Sequence, residues 1–348
     1  MKPFLLRVIN FLFFLCIGAL LLYMSFKGTN LNLMVDYLRE VKLVWIFVTL
    51  LFGTISHISR AYRWSLLIRS LGYKPSLLNS FSAVMIGYLA NIAFPRLGEV
   101  TRCGVLGKKE KIPVDELIGT VIIERAFDLL TFFLLIVLVV FLEADRFGNF
   151  IHNEIFIPMV KKFYGVLGYS FLFWLSLVLV LGGMILLYHL FKDRLHQSPV
   201  FLKAKGMVKG VLSGIKAVFK MKGKRWFLLH TFIIWTMYWA MSFFISFALP
   251  NVTIFQPVDG LFLLVVGTFG MTAPVQGGFG AFHYFVTLGL TLLYGLTKEQ
   301  GLAYATISHE SQTLLLIVLG ILSLAITFFI KNKRERDGQT ADNTTKNS

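Results

Sequence analysis

The stretch NIAFPRLGEVTR, residues 91–102, interrupts an apolar run, LLNSFSAVMIGYLA (77–90), with a proline, a glycine and three charges, Arg96, Glu99 and Arg102. Pro95 lacks a backbone N–H and clashes with the turn before it, so it stops the helix that ends there. Gly98 permits a tight return. The segment therefore reads as the first arm and tip of a helical hairpin. A second piece repeats the pattern: 257–273 ends at Pro274, the loop holds Gly277, Gly278 and Gly280, and 279–295 (FGAFHYFVTLGLTLLYG) offers a return arm.

The 348 residues are 56% hydrophobic and 15% charged, against about 25% charged in soluble domains. A soluble globular protein is excluded. A bilayer core of about 30 Å takes about 20 apolar residues, and runs of about that length lie near 4–26, 43–60, 117–142, 164–191, 226–249 and 303–330. The fold class is thus all-α, a polytopic integral membrane bundle of about six full spans plus two re-entrant or broken-helix hairpins. Residues 1–330 form the membrane domain, with halves at about 1–145 and 160–330, and 331–348 a disordered polar tail. The first run is too long for a signal-peptide core and is read as a retained span. Cys16 and Cys103 stand far apart and imply no disulfide framework.

Lysine and arginine mark the cytoplasmic side. With the N-terminus inside, the inner segments hold two basic residues near the start, nine between Arg60 and Lys111, ten between Lys192 and Arg225, and five from Lys331 onward, against seven outside. Both termini are therefore placed inside a cytoplasmic membrane, and the net charge of +16 reflects topology and attraction to anionic lipid headgroups rather than nucleic-acid binding. Residues 203–222 read as a basic amphipathic helix on that surface. On this topology the hairpins enter from opposite faces, giving a three-plus-three inverted repeat. Broken helices at matching places in two halves point to a substrate site.

Other charged motifs lie within the membrane. In IIERAFDLL, Glu124 and Asp128 share a helix face and Arg125 can pair with Asp128. Ionisable groups at such depth are costly and mark cavities or interhelical clamps. SRAYRWSLL sets Arg60, Arg63 and Trp64 at the end of the second span, where such residues ordinarily anchor to the interface. At the first hairpin, free N–H groups at a helix start together with Arg96 and Arg102 suit an anion. Glu99 either holds Arg96 or meets a cationic headgroup. His57, His230, His283, His309 and Glu310 fit no zinc spacing, no nucleophile motif appears, and no Walker motif points to ATP. No metal, cofactor or catalytic residue is expected.

R-x-x-R-W (Arg60, Arg63, Trp64), P-R-x-G-E-x-x-R (Pro95 to Arg102), E-R-x-x-D (Glu124, Arg125, Asp128) and P-x-x-G-G-x-G (Pro274 to Gly280) occur in this order. Together they resemble the transmembrane region of lysylphosphatidylglycerol synthases, the flippase-like family, over roughly residues 5–330. The resemblance implies a cytoplasmic-membrane protein that moves a lipid between leaflets. The soluble aminoacyl-transfer domain of the synthesising members is expected to be absent here. His283 stands where the family's glycine motif is commonly followed by an acidic residue, which points away from a cationic-headgroup contact.

The leading expectation is a lipid translocator acting on an anionic or aminoacylated phospholipid. Arg96, Glu99, Arg102, Glu124, Arg125, Asp128, Gly277, Gly278 and Gly280 would contact the substrate, with Arg60, Arg63, Pro95, Gly98, Pro274, His283 and Glu310 as secondary candidates. Partners beyond lipid would be a second copy of the chain or a separate lipid-modifying enzyme. The alternatives are a membrane transferase using Glu99, Glu124 or Asp128 as general base, and a non-catalytic scaffold for envelope synthesis.

Overall fold

Helix length separates two kinds of element in this chain. The computed structural model describes residues 2–94, 97–150, 218–249 and 256–346, with isolated positions between 153 and 183. Its helices are α1 (Lys2–Phe26), α2 (Leu31–Arg39), α3 (Leu43–Ser70), α4 (Leu77–Ala93), α5 (Gly98–Glu110), α6 (Val114–Leu142), α7 (Ala144–Phe150), α8 (Lys224–Phe244), α9 (Pro257–Thr272), α10 (Ala281–Tyr294) and α11 (Lys298–Lys346). Among the described residues there is no strand. Among the described residues four helices are long and apolar enough to cross a membrane: α3, α6, α8 with its 3-10 extension, and Lys298–Phe329 of α11. The pair formed by α1 and α2, bent by 88°, makes up to five. The sixth predicted span, 164–191, lies outside the described residues, as do residues 203–217 of the predicted amphipathic helix. The helix α11 continues through the stretch predicted as a disordered tail, to Lys346.

Burial is inverted relative to a soluble protein. Phe47, Val137, Phe141, Phe232 and Phe329 are among the most exposed side chains, while Arg60, Arg63, Arg102, Glu124, His283 and His309 are buried. An apolar exterior around a charged interior suits hydrocarbon as solvent. The chain is a helical membrane bundle.

The other helices are short. Arms α4 and α5 have 17 and 13 residues, about 26 and 20 Å at 1.5 Å per residue. Arms α9 and α10 have 16 and 14, about 24 and 21 Å. None reaches the roughly 30 Å of a bilayer core. Both predicted hairpins are present. In the first, Gly98 N donates to Asn91 Oδ1 at 2.6 Å, and a Cβ on Gly87 would lie 2.8 Å from the Gly98 carbonyl oxygen. Glycine thus lets the two arms touch.

The hairpins start from opposite ends of α6. At its N-terminal end, Tyr73 donates to Glu116 Oε1 at 3.2 Å, and Glu110 Oε1 accepts from Ser76 N at 3.1 Å, holding the base of the first hairpin. At its C-terminal end, Arg146 lies 2.9 Å from both Glu143 and Asp259, holding the base of the second. The tips meet: a Cβ on Gly277 would lie 3.8 Å from Ile92 Cα. The bend between α1 and α2 is pinned to the start of α11, where Asn30 N donates to Glu299 Oε1 at 2.9 Å and Lys298 Nζ to Lys27 O at 2.6 Å.

Candidate functional site

Three of the four charged or glycine-rich motifs supply one buried cluster. Helix α3 runs ten residues past the end predicted at 60, so Arg60 and Arg63 lie inside the bundle, buried at 4% and 0% exposure. They are not interface anchors. Three residues apart on a helix, they project to one side, and that side faces α6. Glu124 and Asp128, four apart on α6, receive them. Arg60 Nη1 donates to Glu124 Oε1 (3.0 Å) and Asp128 Oδ2 (3.2 Å). Arg63 Nη2 donates to Glu124 Oε1 (3.1 Å) and pairs with Asp128 Oδ1 at 2.7 Å. From α5, Arg102 Nη1 lies 3.1 Å from Glu124 Oε2. Arg125 completes the set at 3.5 Å from Glu124 and 3.7 Å from Asp128, half-exposed.

Four guanidinium groups meet two carboxylates, so the cluster carries a formal charge of +2. Burying an uncompensated charge is expensive, and several donors stay unused. Arg102 Nε and Nη2, Arg60 Nε and Arg63 Nε are buried without a hydrogen-bond partner. Arg102 stands over the Trp64 ring at 4.7 Å, and Trp64 is itself fixed by donating to Thr120 Oγ1 at 2.9 Å. A guanidinium held over a ring, with unused N–H groups, has the donors of the planar fork that suits a phosphate or carboxylate.

Helix α8 closes the cluster with Thr231, which accepts from Arg63 Nη1, and Tyr238, which accepts from Arg60 Nη2, both at 3.2 Å. Neither residue stands out in the sequence. Their seven-residue spacing, which puts them on one helix face, was the available signal.

The hairpin charges divide. Arg102 turns into the cluster, whereas Glu99 makes no ion pair among the described residues; Pro95 and Arg96 lie outside them. Of the two arginines expected to suit an anion, Arg102 is thus in the cluster and Arg96 is outside the described residues.

The glycine loop forms a second centre. Gly277, Gly278 and Gly280 have φ of +56°, +79° and +76°, a region where L side chains are strained. A Cβ on Gly280 would lie 2.8 Å from Leu22 N of α1, and one on Gly278 2.6 Å from Met271 Sδ. His309 Nε2 meets the Gly277 carbonyl at 2.8 Å, and His309 Nδ1 lies 3.0 Å from Glu310 Oε1. His283 Nε2 reaches the same Glu310 oxygen at 3.5 Å. Sequence spacing argues against a metal here, yet the fold draws one ligand atom from each of these three residues to within 4.8 Å of one another. The two centres are neighbours through α4: the Tyr88 ring lies tilted against His57 of α3, centroids 5.3 Å apart, and Ile92, one helical turn on and about 6 Å away along the axis, touches the glycine loop.

Paired short hairpins around a buried cluster of arginines and carboxylates define a polytopic helical membrane protein. The chain belongs to the lysylphosphatidylglycerol synthase TM region family, which it matches over residues 8–320. A UPF0104 membrane protein of Methanocaldococcus jannaschii is 29% identical over 130 residues, 36% of this chain and 36% of that relative. The chain thus matches about a third of the curated relative's length. No solved structure matches.

Proposed function

We propose that this chain is a lipid translocator that carries an anionic phospholipid between the leaflets of the cytoplasmic membrane, without covalent chemistry of its own. The observation that carries this reading is the excess of buried positive charge. Four arginines against two carboxylates leave room for one phosphodiester, and Arg102 holds two unpartnered nitrogens toward it. The phosphate would complete the hydrogen bonding of Arg102 and lower the charge of the cluster while the acyl chains stay in hydrocarbon. Hairpins that start at opposite ends of α6 and touch at their tips supply two halves that can rock about the site, opening it to each leaflet in turn. The family's name, the lysylphosphatidylglycerol synthase TM region, supports a phospholipid as substrate, and the basic inner segments favour both termini on the cytoplasmic side.

The test is leaflet-resolved movement of a headgroup-labelled phosphatidylglycerol in proteoliposomes. Wild-type protein should accelerate its exchange over protein-free vesicles. Arg102→Gln should slow it by about tenfold or more, the worth of one charge-assisted hydrogen bond to a phosphate. Exchange equal to that of empty vesicles, from protein that remains monodisperse, overturns the proposal.

A further inference from the structure

We infer that His309 and Glu310 form a proton-binding site that latches the glycine turn of the second hairpin, making the proton the coupling ion of the translocation cycle proposed above. The inference rests on that reading for its function but on hydrogen-bond chemistry for its existence. The Gly277 carbonyl can only accept, so His309 Nε2, 2.8 Å away, must carry a hydrogen. In a neutral imidazole the other nitrogen, Nδ1, then has only a lone pair. Nδ1 lies 3.0 Å from Glu310 Oε1, and two lone pairs at that distance repel. One proton belongs between them, on the ring or on the carboxyl.

Loss of that proton changes what the ring can hold. One imidazole hydrogen remains, facing a carboxylate on one side and a neutral carbonyl on the other. The carboxylate wins, because charge-assisted hydrogen bonds are about twice as strong as neutral ones. The hydrogen moves to Nδ1, and Nε2 turns a lone pair on the Gly277 oxygen. The turn is released, and three residues at positive φ, all glycine, let it rearrange without side-chain clashes. Rebinding a proton restores the latch.

The surroundings suit this exchange. His309 is 4% exposed and packs against the Phe279 and Phe282 rings. The Glu310 side chain is 39% exposed and is the member through which a proton enters and leaves. From α10, His283 faces Glu310 at 3.5 Å through Nε2 and has a buried Nδ1 without a hydrogen-bond partner. The Gln276–Gly278 turn presents its Gly277 carbonyl, and α4 presents Ile92. No lysine or arginine pairs with Glu310 among the described residues. Glu310 lies twelve residues into α11, about 18 Å along its axis, a depth at which ionisable groups serve transport.

The test places a cysteine at the turn, Gln276→Cys with Cys16→Ser, in the full chain reconstituted into phosphatidylethanolamine and phosphatidylglycerol vesicles with a metal chelator present. Labelling by a membrane-impermeant maleimide is measured against pH, relative to the same protein carrying Glu310→Gln. The glutamine amide donates to Nδ1 without titrating and keeps the latch closed. The ratio should rise about fivefold along a one-proton curve as pH is raised, the factor one neutral hydrogen bond is worth in an open–closed equilibrium. A ratio independent of pH overturns the site, and a ratio that moves only with added zinc assigns it to a metal instead. In parallel, an imposed pH gradient should change lipid exchange by wild type and not by Glu310→Gln. Exchange that ignores the gradient in both refutes coupling while leaving the translocator intact. Exchange absent from all vesicles refutes the translocator, and the labelling curve still decides the latch.

Discussion

Glu124→Gln should cost far more stability than Arg102→Gln, while Arg102→Gln should cost more lipid movement. Glu124 is fully buried and lies within 3.5 Å of four arginines. Glutamine keeps its volume and removes its charge, leaving four guanidinium groups facing Asp128 alone. Breaking a buried pair in this way costs about 3–5 kcal/mol, a large share of a typical stability of about 5–15 kcal/mol. At about 2–4 °C per kcal/mol, the melting temperature should fall by roughly 6–20 °C. Removing Arg102 runs the other way electrostatically, taking the cluster from +2 to +1. Glu124 keeps Arg60 and Arg63, and two unpartnered buried nitrogens disappear, each a burden of about 1–3 kcal/mol. These gains oppose the lost Glu124 pair and the contact over Trp64, worth about 0.5–2 kcal/mol. The net change should lie within about 2 kcal/mol, or roughly 8 °C at most. Thermal unfolding in detergent, followed by loss of the monodisperse peak, measures both variants. If Arg102→Gln proves as destabilising as Glu124→Gln, Arg102 is a structural clamp and its unused donors do not mark an anion site.

Gly280→Ala should destabilise by about 2 kcal/mol or more, since a left-handed alanine costs roughly 1–2 kcal/mol and its Cβ would press on Leu22 N. Gly119→Ala, where a Cβ meets nothing within 4 Å, should be neutral or stabilise by up to about 1 kcal/mol; melting curves compare the two. Cysteines at Ile92 and Gly277, with Cys16→Ser, should form a disulfide on mild oxidation, because the two backbones lie within bridging distance; a gel shift that never appears would refute the meeting of the hairpin tips. Arg146→Ala leaves Glu143 and Asp259 without their shared cation. The loss should be only about 1–2 kcal/mol, because Arg146 is 40% exposed and partly screened by solvent, and thermal unfolding should shrink it further in high salt.

Membrane residence, helical class and both hairpins were readable in the sequence because each depends on local chemistry. Apolar runs dictate the solvent, and Pro95, Pro274 and the glycines beside them stop and turn the chain wherever it folds. The carboxylates were readable too, since four-residue spacing places Glu124 and Asp128 on one face without reference to any partner. Which helix that face would meet was not. Arg60 and Glu124 are 64 residues apart, and their meeting depends on how α3 and α6 rotate and pack. That packing turned two apparent interface anchors into cluster members, drew Arg102 away from the hairpin tip, and added Thr231 and Tyr238. It also brought His283 to His309 and Glu310, whose spacing along the chain fits no zinc pattern. Periodicity specifies what one helix presents; only the assembled bundle specifies what stands opposite, because an ion pair between helices is set by their relative rotation and depth, which no single segment encodes.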